Sequence, residues 1–321
     1  MSTLPLLEVH ELSKVFPVKG GVLGKIVGGV RAVDQVSFSV QPGEIFGLVG
    51  ESGCGKTTLG RMLLRLIEPS GGSVIFDGIQ ITGLDRKALR PFRRRMQMVF
   101  QDPFGSLNPR KTVSSIVGEP LIIAGRPSDE VESEVEELLR TVGLPEASIS
   151  RYPHEFSGGQ RQRIGVARSL ILRPEFLVAD EPVSALDVSI QAQILNLLME
   201  LKEHFSLTML FISHDLRVIR SLCDRVAVMY LGRLVEVGPA EEVYTNPVHP
   251  YTEALIQSIP DPDPRRRNKG QGPEGEMPSP SSPPPGCHFH TRCPHKIGRC
   301  LVEVPKLSQR EGSRRAACHV R

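Results

Sequence analysis

Short continuous apolar runs alternate along this chain with stretches whose apolar residues recur at helical spacing. The runs that read as strands are Glu44 to Val49, Met96 to Phe100, Phe176 to Ala179, Met209 to Ile212 and Val226 to Tyr230. They are unbroken rather than alternating, which fits strands covered on both faces, as in a mainly parallel sheet between helices. Val131, Val135, Leu138, Leu139 and Val142 recur at helical spacing, as do Ile190, Ile194, Leu197, Leu198 and Leu201. The pattern predicts an α/β body. From about 104 to 161 no run reads as a strand, so an inserted helical subdomain is expected there. From Pro260 the composition turns to Pro, Arg, Gly, Glu and Ser, and Ser279 to Gly286 reads SPSSPPPG, which cannot bury a core. The expected organisation is a main domain over 1–259, a linker over 260–286 and a short cysteine-bearing module over 287–321.

With 321 residues, 40% of them hydrophobic, the chain can bury one core of ordinary size and a second small module. No stretch approaches the ~20 consecutive apolar residues of a membrane-spanning helix, and the first residues lack the layout of a signal peptide. A cytoplasmic chain, soluble or peripherally attached, is the expectation. The net charge of +3 hides an asymmetry: from Arg265 onward there are 12 Lys/Arg against 4 Asp/Glu, and before it 27 against 32. A nucleic-acid binder usually carries its basic surface on the folded body, which here is mildly acidic, so nucleic acid is not expected as the ligand.

Gly50, Glu51, Ser52, Gly53, Cys54, Gly55, Lys56 and Thr57 fit G-x-x-x-x-G-K-[ST], directly after an apolar strand and before a helical stretch from Leu59 to Ile67. Glycines let backbone amides fold around phosphate, and the following helix presents unpaired N–H groups. Lys56 reaches the β and γ phosphates of ATP, and the Thr57 hydroxyl serves Mg²⁺. Cys54 has no part in hydrolysis, though a thiol in this loop is expected to make the protein sensitive to alkylation. The strand ending at Ala179 runs into two carboxylates, Asp180 and Glu181. At the carboxyl end of a central strand Asp180 can hold Mg²⁺ while Glu181 polarises the attacking water. His214 follows the next strand, where it would sense the γ phosphate, and Gln101 follows Phe100.

At Phe156 to Arg163, reading FSGGQRQR, the chain resembles the ABC-type ATPases. The motifs stand in that family's order: phosphate loop, Gln101, signature, Asp180 with Glu181, Ser184 to Asp187, and His214. The family's usual first signature residue is Leu, where this chain has Phe156. The resemblance implies a head-to-tail dimer with two ATP molecules at its interface. Phosphate would be gripped by residues 50–58 of one subunit, Thr58 included, and by Ser157, Gly158, Gly159 and Gln160 of the other. It also implies that Asp187 communicates across the dimer, that Gln101 links Mg²⁺ to the helical subdomain, and that Phe16 stacks on adenine. Within the family the chain is most similar to the oligopeptide and dipeptide import ATPases, through residues 100–109, 152–157, 228–232 and 246–252. That branch implies two membrane permease subunits, a second ATPase that is either homologous or another copy, and a solute-binding protein outside the membrane acting indirectly. The place of such a subunit is peripheral, on the cytoplasmic face of the membrane. Nickel importers share many of these residues, and soluble ABC ATPases are a more distant alternative.

Cys287, Cys293, Cys300 and Cys318 fall in the last 35 residues with spacing C-x5-C-x6-C-x17-C. Thiols in a reducing compartment favour metal ligation over disulfides. Four thiolates suit either tetrahedral zinc or a [4Fe–4S] cluster, and the spacing lacks the usual C-x2-C pairs of zinc sites. In the peptide-import branch this tail is associated with a four-iron cluster, so the resemblance implies that group.

Overall fold

A computed structural model describes residues 4–20, 25–102, 105–259, 272–273, 275–310 and 312–321. The sequence reading of a linker therefore falls largely outside the described residues, as does Phe104 at the start of the expected helical subdomain. The fold divides into two compact units, one of Met1–Gly83 with Ser213–Arg321 and one of Leu84–Ile212.

The first unit opens with β1 (Leu7–Gly20) and β2 (Lys25–Val40), a long antiparallel hairpin. β3 (Ile45–Val49) follows, then α1 (Lys56–Leu63), β4 (Gly71–Phe76) and β5 (Ile79–Gln80). β4 pairs antiparallel with both β1 and β5. All five residues of β3 are buried, which explains why its sequence is apolar without alternation. Ile219 and Cys223 pack close on it: a Cβ at Gly47 would press on the Ile219 side chain and on the Cys223 sulfur.

The second unit holds α2 (Arg86–Arg95), β6 (Met96–Val99), α3 (Val113–Ile123), α4 (Ser128–Thr141), α5 (Gly158–Leu170), β7 (Phe176–Asp180), α6 (Val188–Phe205) and β8 (Thr208–Ser213). β6, β7 and β8 are parallel neighbours, with Met98 opposite Val178 and Val178 opposite Leu210. The apolar faces read from the sequence are buried: Val131, Val135, Leu138 and Leu139 on α4, and Ile194, Leu197, Leu198 and Leu201 on α6. Between residues 105 and 157 the described chain holds α3, α4 and two short 3₁₀ turns, and no strand.

The chain then returns to the first unit with α7 (Leu216–Leu222), β9 (Arg225–Tyr230), β10 (Arg233–Pro239), α8 (Ala240–Thr245) and α9 (Pro250–Gln257). β9 runs parallel to β3 and antiparallel to β10. The cysteine tail is woven into this unit. Two short strands, β11 (Ser308–Gln309) and β12 (Arg315–Ala316), pair with each other, and β12 extends the sheet beyond β10, with Ala316 opposite Glu236. Phe289, 1% exposed, anchors the tail in an aromatic cluster with Tyr230 and Tyr251, at centroid distances of 5.3 and 5.4 Å.

Candidate nucleotide site

In the first unit, β3 ends at Val49 and the chain turns through Gly50 to Gly55 into α1. Gly50 passes so near the Met229 carbonyl that a Cβ would collide with it, and Gly55 has φ 111° beside the Ala32 carbonyl, where an L side chain is strained. These two glycines are required by close backbone approach and by a left-handed turn respectively. The loop is pinned to the β9–β10 turn by Gly232 N–H donating to the Cys54 carbonyl at 2.9 Å. Ser52 and Gly53 stand exposed at its crest. Gly55 caps α1 without a side-chain acceptor, so the first-turn amides of Lys56, Thr57 and Thr58 face outward from a helix N-terminus, an arrangement suited to phosphate.

The Lys56 side chain is 5% exposed and folds back over the loop, donating to the carbonyls of Gly50 at 2.7 Å and Glu51 at 3.0 Å. Cys54 beneath it is 1% exposed, and burial pushes its thiol up, against the pull of the Lys56 charge. The expectation of alkylation sensitivity at Cys54 runs against this burial, which covers the thiol and disfavours the reactive thiolate. His214, which the sequence places after β8, is exposed. Phe16 lies on β1, 37% exposed, with the Lys14 ammonium 5.1 Å from its ring centroid, so it is no core residue.

Two residues of this unit that the motifs did not single out also hold the loop. The Glu51 amide donates to the Tyr251 hydroxyl at 2.9 Å, and the Glu51 carboxylate pairs with Arg292. Tyr251 lies in a stretch that sequence similarity had marked, residues 246–252; Arg292 lies in the tail, 241 positions from its partner.

In the second unit, β7 carries Asp180 at its end, 1% exposed. Glu181 follows at φ 44°, a left-handed conformation costly for a non-glycine residue. Its amide donates to the Ile212 carbonyl at 3.0 Å, and Ser184 hydroxyl donates to its carbonyl at 3.1 Å. Gln101, just beyond β6, donates its Nε2 to the Glu181 Oε2 at 3.1 Å. The fold thus joins two residues that the sequence could name only separately. Ser157 caps α5 in a reciprocal capping box: its hydroxyl accepts the Gln160 amide at 3.4 Å, and the Gln160 side chain accepts the Ser157 amide at 3.0 Å. Gly158 and Gly159 form the first turn, and a Cβ at Gly159 would press on Ile190 of α6. Asp187 stands at the N-cap of α6 without using its side chain as the cap.

The four tail cysteines carry free thiols. Burial, with smaller contributions from Cys300, Cys293 and Cys318, pushes the Cys287 thiol up to about 11. Among the described residues, no group of three or more His, Cys, Asp or Glu side chains is gathered so as to hold a metal ion. Nor is any described helix long and apolar enough to cross a membrane.

Residues 33–184 match the ABC transporter family, and residues 235–300 match the oligopeptide/dipeptide transporter C-terminal region. The oligopeptide transport ATP-binding protein AppF of Bacillus subtilis (strain 168) is 52% identical over 98% of this chain and 97% of its own length. The probable peptide ABC transporter ATP-binding protein y4tS of Sinorhizobium fredii is 53% identical over 98% of this chain and 90% of its own. This chain belongs to the ABC transporter ATPases, in their oligopeptide/dipeptide transporter family. Among solved structures, cbiO1 of Clostridium perfringens, part of the transporter complex cbiONQ, aligns with TM-score 0.65 and 28% identity over 75% of this chain and 91% of its own. The cassette MJ0796, seen as a dimer in a post-hydrolysis state with ADP and phosphate, gives the same TM-score and identity over 73% of this chain and 98% of its own. The chain is accordingly an ATP-hydrolysing cassette.

Proposed function

We propose that this protein binds and hydrolyses ATP to energise import of di- and oligopeptides through two membrane permease subunits. It would sit peripherally at the cytoplasmic face of the membrane, paired head to tail with a homologous ATPase or a second copy. The observation that carries the reading is the phosphate loop closed by Lys56, in a chain more than half identical over its length to peptide transport ATP-binding proteins. In this reading the loop amides and Lys56 bind the phosphates of ATP, and Phe16 stacks on adenine. Thr57 and Asp180 are oxygen donors of the kind Mg²⁺ takes, with Gln101 linking that ion to the helical segment over about 104–161. Bound Mg²⁺ supplies charge neutralisation to the phosphates. Glu181 orients and deprotonates the attacking water, Gln101 holds the Glu181 carboxylate in place, and His214 reads the γ phosphate. Ser157, Gly158, Gly159 and Gln160 present the second helix N-terminus to the partner's nucleotide, and Asp187 carries the signal between subunits.

The tail module over 287–321 we assign to a four-iron cluster held by Cys287, Cys293, Cys300 and Cys318. Support comes from the thiol donor set, which suits a four-iron cluster, and from the match of residues 235–300 to the oligopeptide/dipeptide transporter C-terminal region. The four thiols are not gathered into a metal-holding group among the described residues, so the geometry favours neither the cluster nor zinc. Iron, sulfide and zinc content of protein purified without oxygen tests this: iron with sulfide supports the cluster, and zinc or no metal overturns it.

Transport itself is tested by gene deletion. Loss of the chain should abolish uptake of a labelled tripeptide and leave nickel uptake unchanged. The reverse result would move the protein to the nickel branch.

A further inference from the structure

The phosphate loop is braced from behind by the cysteine tail. Arg292, one residue before Cys293, meets Glu51 in a two-pronged pair: Nη1 donates to Oε2 at 2.7 Å and Nη2 to Oε1 at 3.0 Å. Nη2 also donates to the Pro273 carbonyl at 3.0 Å, and Nη1 lies 3.5 Å from the Tyr230 hydroxyl. The Arg292 side chain is 6% exposed and that of Glu51 26%. A pair this sheltered, in fork-to-fork geometry, is unlike the exposed surface bridges whose contribution is near zero. A second contact comes from the same side: the Met277 methyl lies 3.6 Å from where a Cβ on Gly53 would stand.

Glu51 is the second residue of a loop built to bind phosphate. Its carboxylate opposes an incoming triphosphate unless a cation answers it. Lys56 donates to the backbone carbonyls of Gly50 and Glu51. Arg292 pairs with the carboxylate through both of its terminal nitrogens. Phe289, three residues earlier and buried against Tyr230 and Tyr251, fixes the segment from which Arg292 reaches.

We propose that Arg292 is a positioning residue of the nucleotide site, neutralising Glu51 and fixing the phosphate loop so that ATP affinity depends on the tail. The inference rests on the reading of this chain as an ATPase. Arg292 acts on the nucleotide only through Glu51, so its loss weakens binding and leaves the chemical step alone.

The test is a charge cycle on the full chain, measured as KM for ATP and kcat, with equilibrium binding of a fluorescent ATP analogue and a thermal melt for each variant. Arg292→Ala should raise KM by about tenfold, the size expected when a charged hydrogen-bond partner is removed, with kcat within twofold of the parent. Arg292→Lys should recover part of the loss. Glu51→Gln placed on Arg292→Ala should bring KM back toward the parent, because the unanswered carboxylate is gone. A merely structural Arg292 predicts the opposite, a double variant no better than the single one, and that result overturns the proposal. An unchanged KM in Arg292→Ala, with parental protein binding ATP normally, overturns it as well. Failure of the parental protein to bind or hydrolyse ATP would instead sink the ATPase reading on which it rests.

Discussion

Gln101 donates its side-chain amide to the Glu181 carboxylate at 3.1 Å, across 80 positions of sequence. The Glu181 N–H donates to the Ile212 carbonyl while its backbone is left-handed, so the residue is held at its backbone and at its carboxylate. A water-orienting base needs this placement before it needs any special basicity. Glu181→Gln should therefore lower ATP turnover by at least about 100-fold, the usual size of a general-base contribution, and leave ATP binding intact. Gln101→Ala should lower turnover by less, with binding again retained. Phosphate release and equilibrium nucleotide binding check both, and parental hydrolysis in Glu181→Gln would remove this residue from the mechanism.

The phosphate loop makes a separate prediction. A methyl group at Gly50 collides with the Met229 carbonyl, and that atom belongs to a buried strand backbone that cannot yield. Gly50→Ala should lose nucleotide binding and cost about 1 to 3 kcal/mol of stability, the range for overpacking a filled site. Ser52→Ala, at the exposed crest, should leave the urea midpoint unchanged and serves as the control. Equal midpoints for Gly50→Ala and its parent would show that the loop can move away from β9.

Why the loop could be read in advance, and the hairpin before it could not, follows from how each is built. β3 is buried on both faces, so its residues are apolar without interruption, and the glycines and Lys56 that follow keep the fixed spacing of G-x-x-x-x-G-K-[ST]. β1 and β2 pair through several register shifts, with Glu11 and Gln35 at positive φ, so no clean alternation survives in the sequence. The tail was legible as a set of cysteines and not as part of the ATPase unit. β12 is two residues long, and the Arg292–Glu51 pair spans 241 positions; neither leaves a local signal. Asp180, Glu181 and Gln101 each stood at a strand end that could be located, whereas the bond between Gln101 and Glu181 required β6 and β7 to be neighbours.

Cys54 bears on how the protein meets thiol reagents. It is 1% exposed and its pKa is raised first of all by burial. Cys223 is buried likewise and shifted in the same direction for the same reason. Native protein treated briefly with iodoacetamide at pH 8 should show neither residue modified by peptide mass spectrometry, and both modified after unfolding in urea. Rapid labelling of Cys54 in the native protein would mean that the phosphate loop opens on the timescale of the reaction.

His249 gives the folded unit a defined response to acid. It caps α9 through Nδ1, which accepts the Tyr251 amide at 3.1 Å, and its own amide donates to the buried Glu236 carboxylate at 2.9 Å. Burial, and then the charge of Arg321, lower its pKa to about 3. The unfolded chain takes up this proton near pH 6.5, so the stability it confers is whole above that pH and falls as pH drops toward 3. The slope in that window is at most about 1.4 kcal/mol per pH unit. Glu236, whose pKa burial raises, works in the other direction: protonation in acid relieves its burial. The two are separated with His249→Asn, since Asn is itself a favoured helix cap and cannot titrate. Urea unfolding at pH 7, 6 and 5 should show the parent losing stability steadily and His249→Asn losing markedly less, even if the variant starts lower. Parallel slopes would mean that His249 takes up its proton over the same pH range in the folded protein as in the unfolded chain, and that the cap is made in some other way.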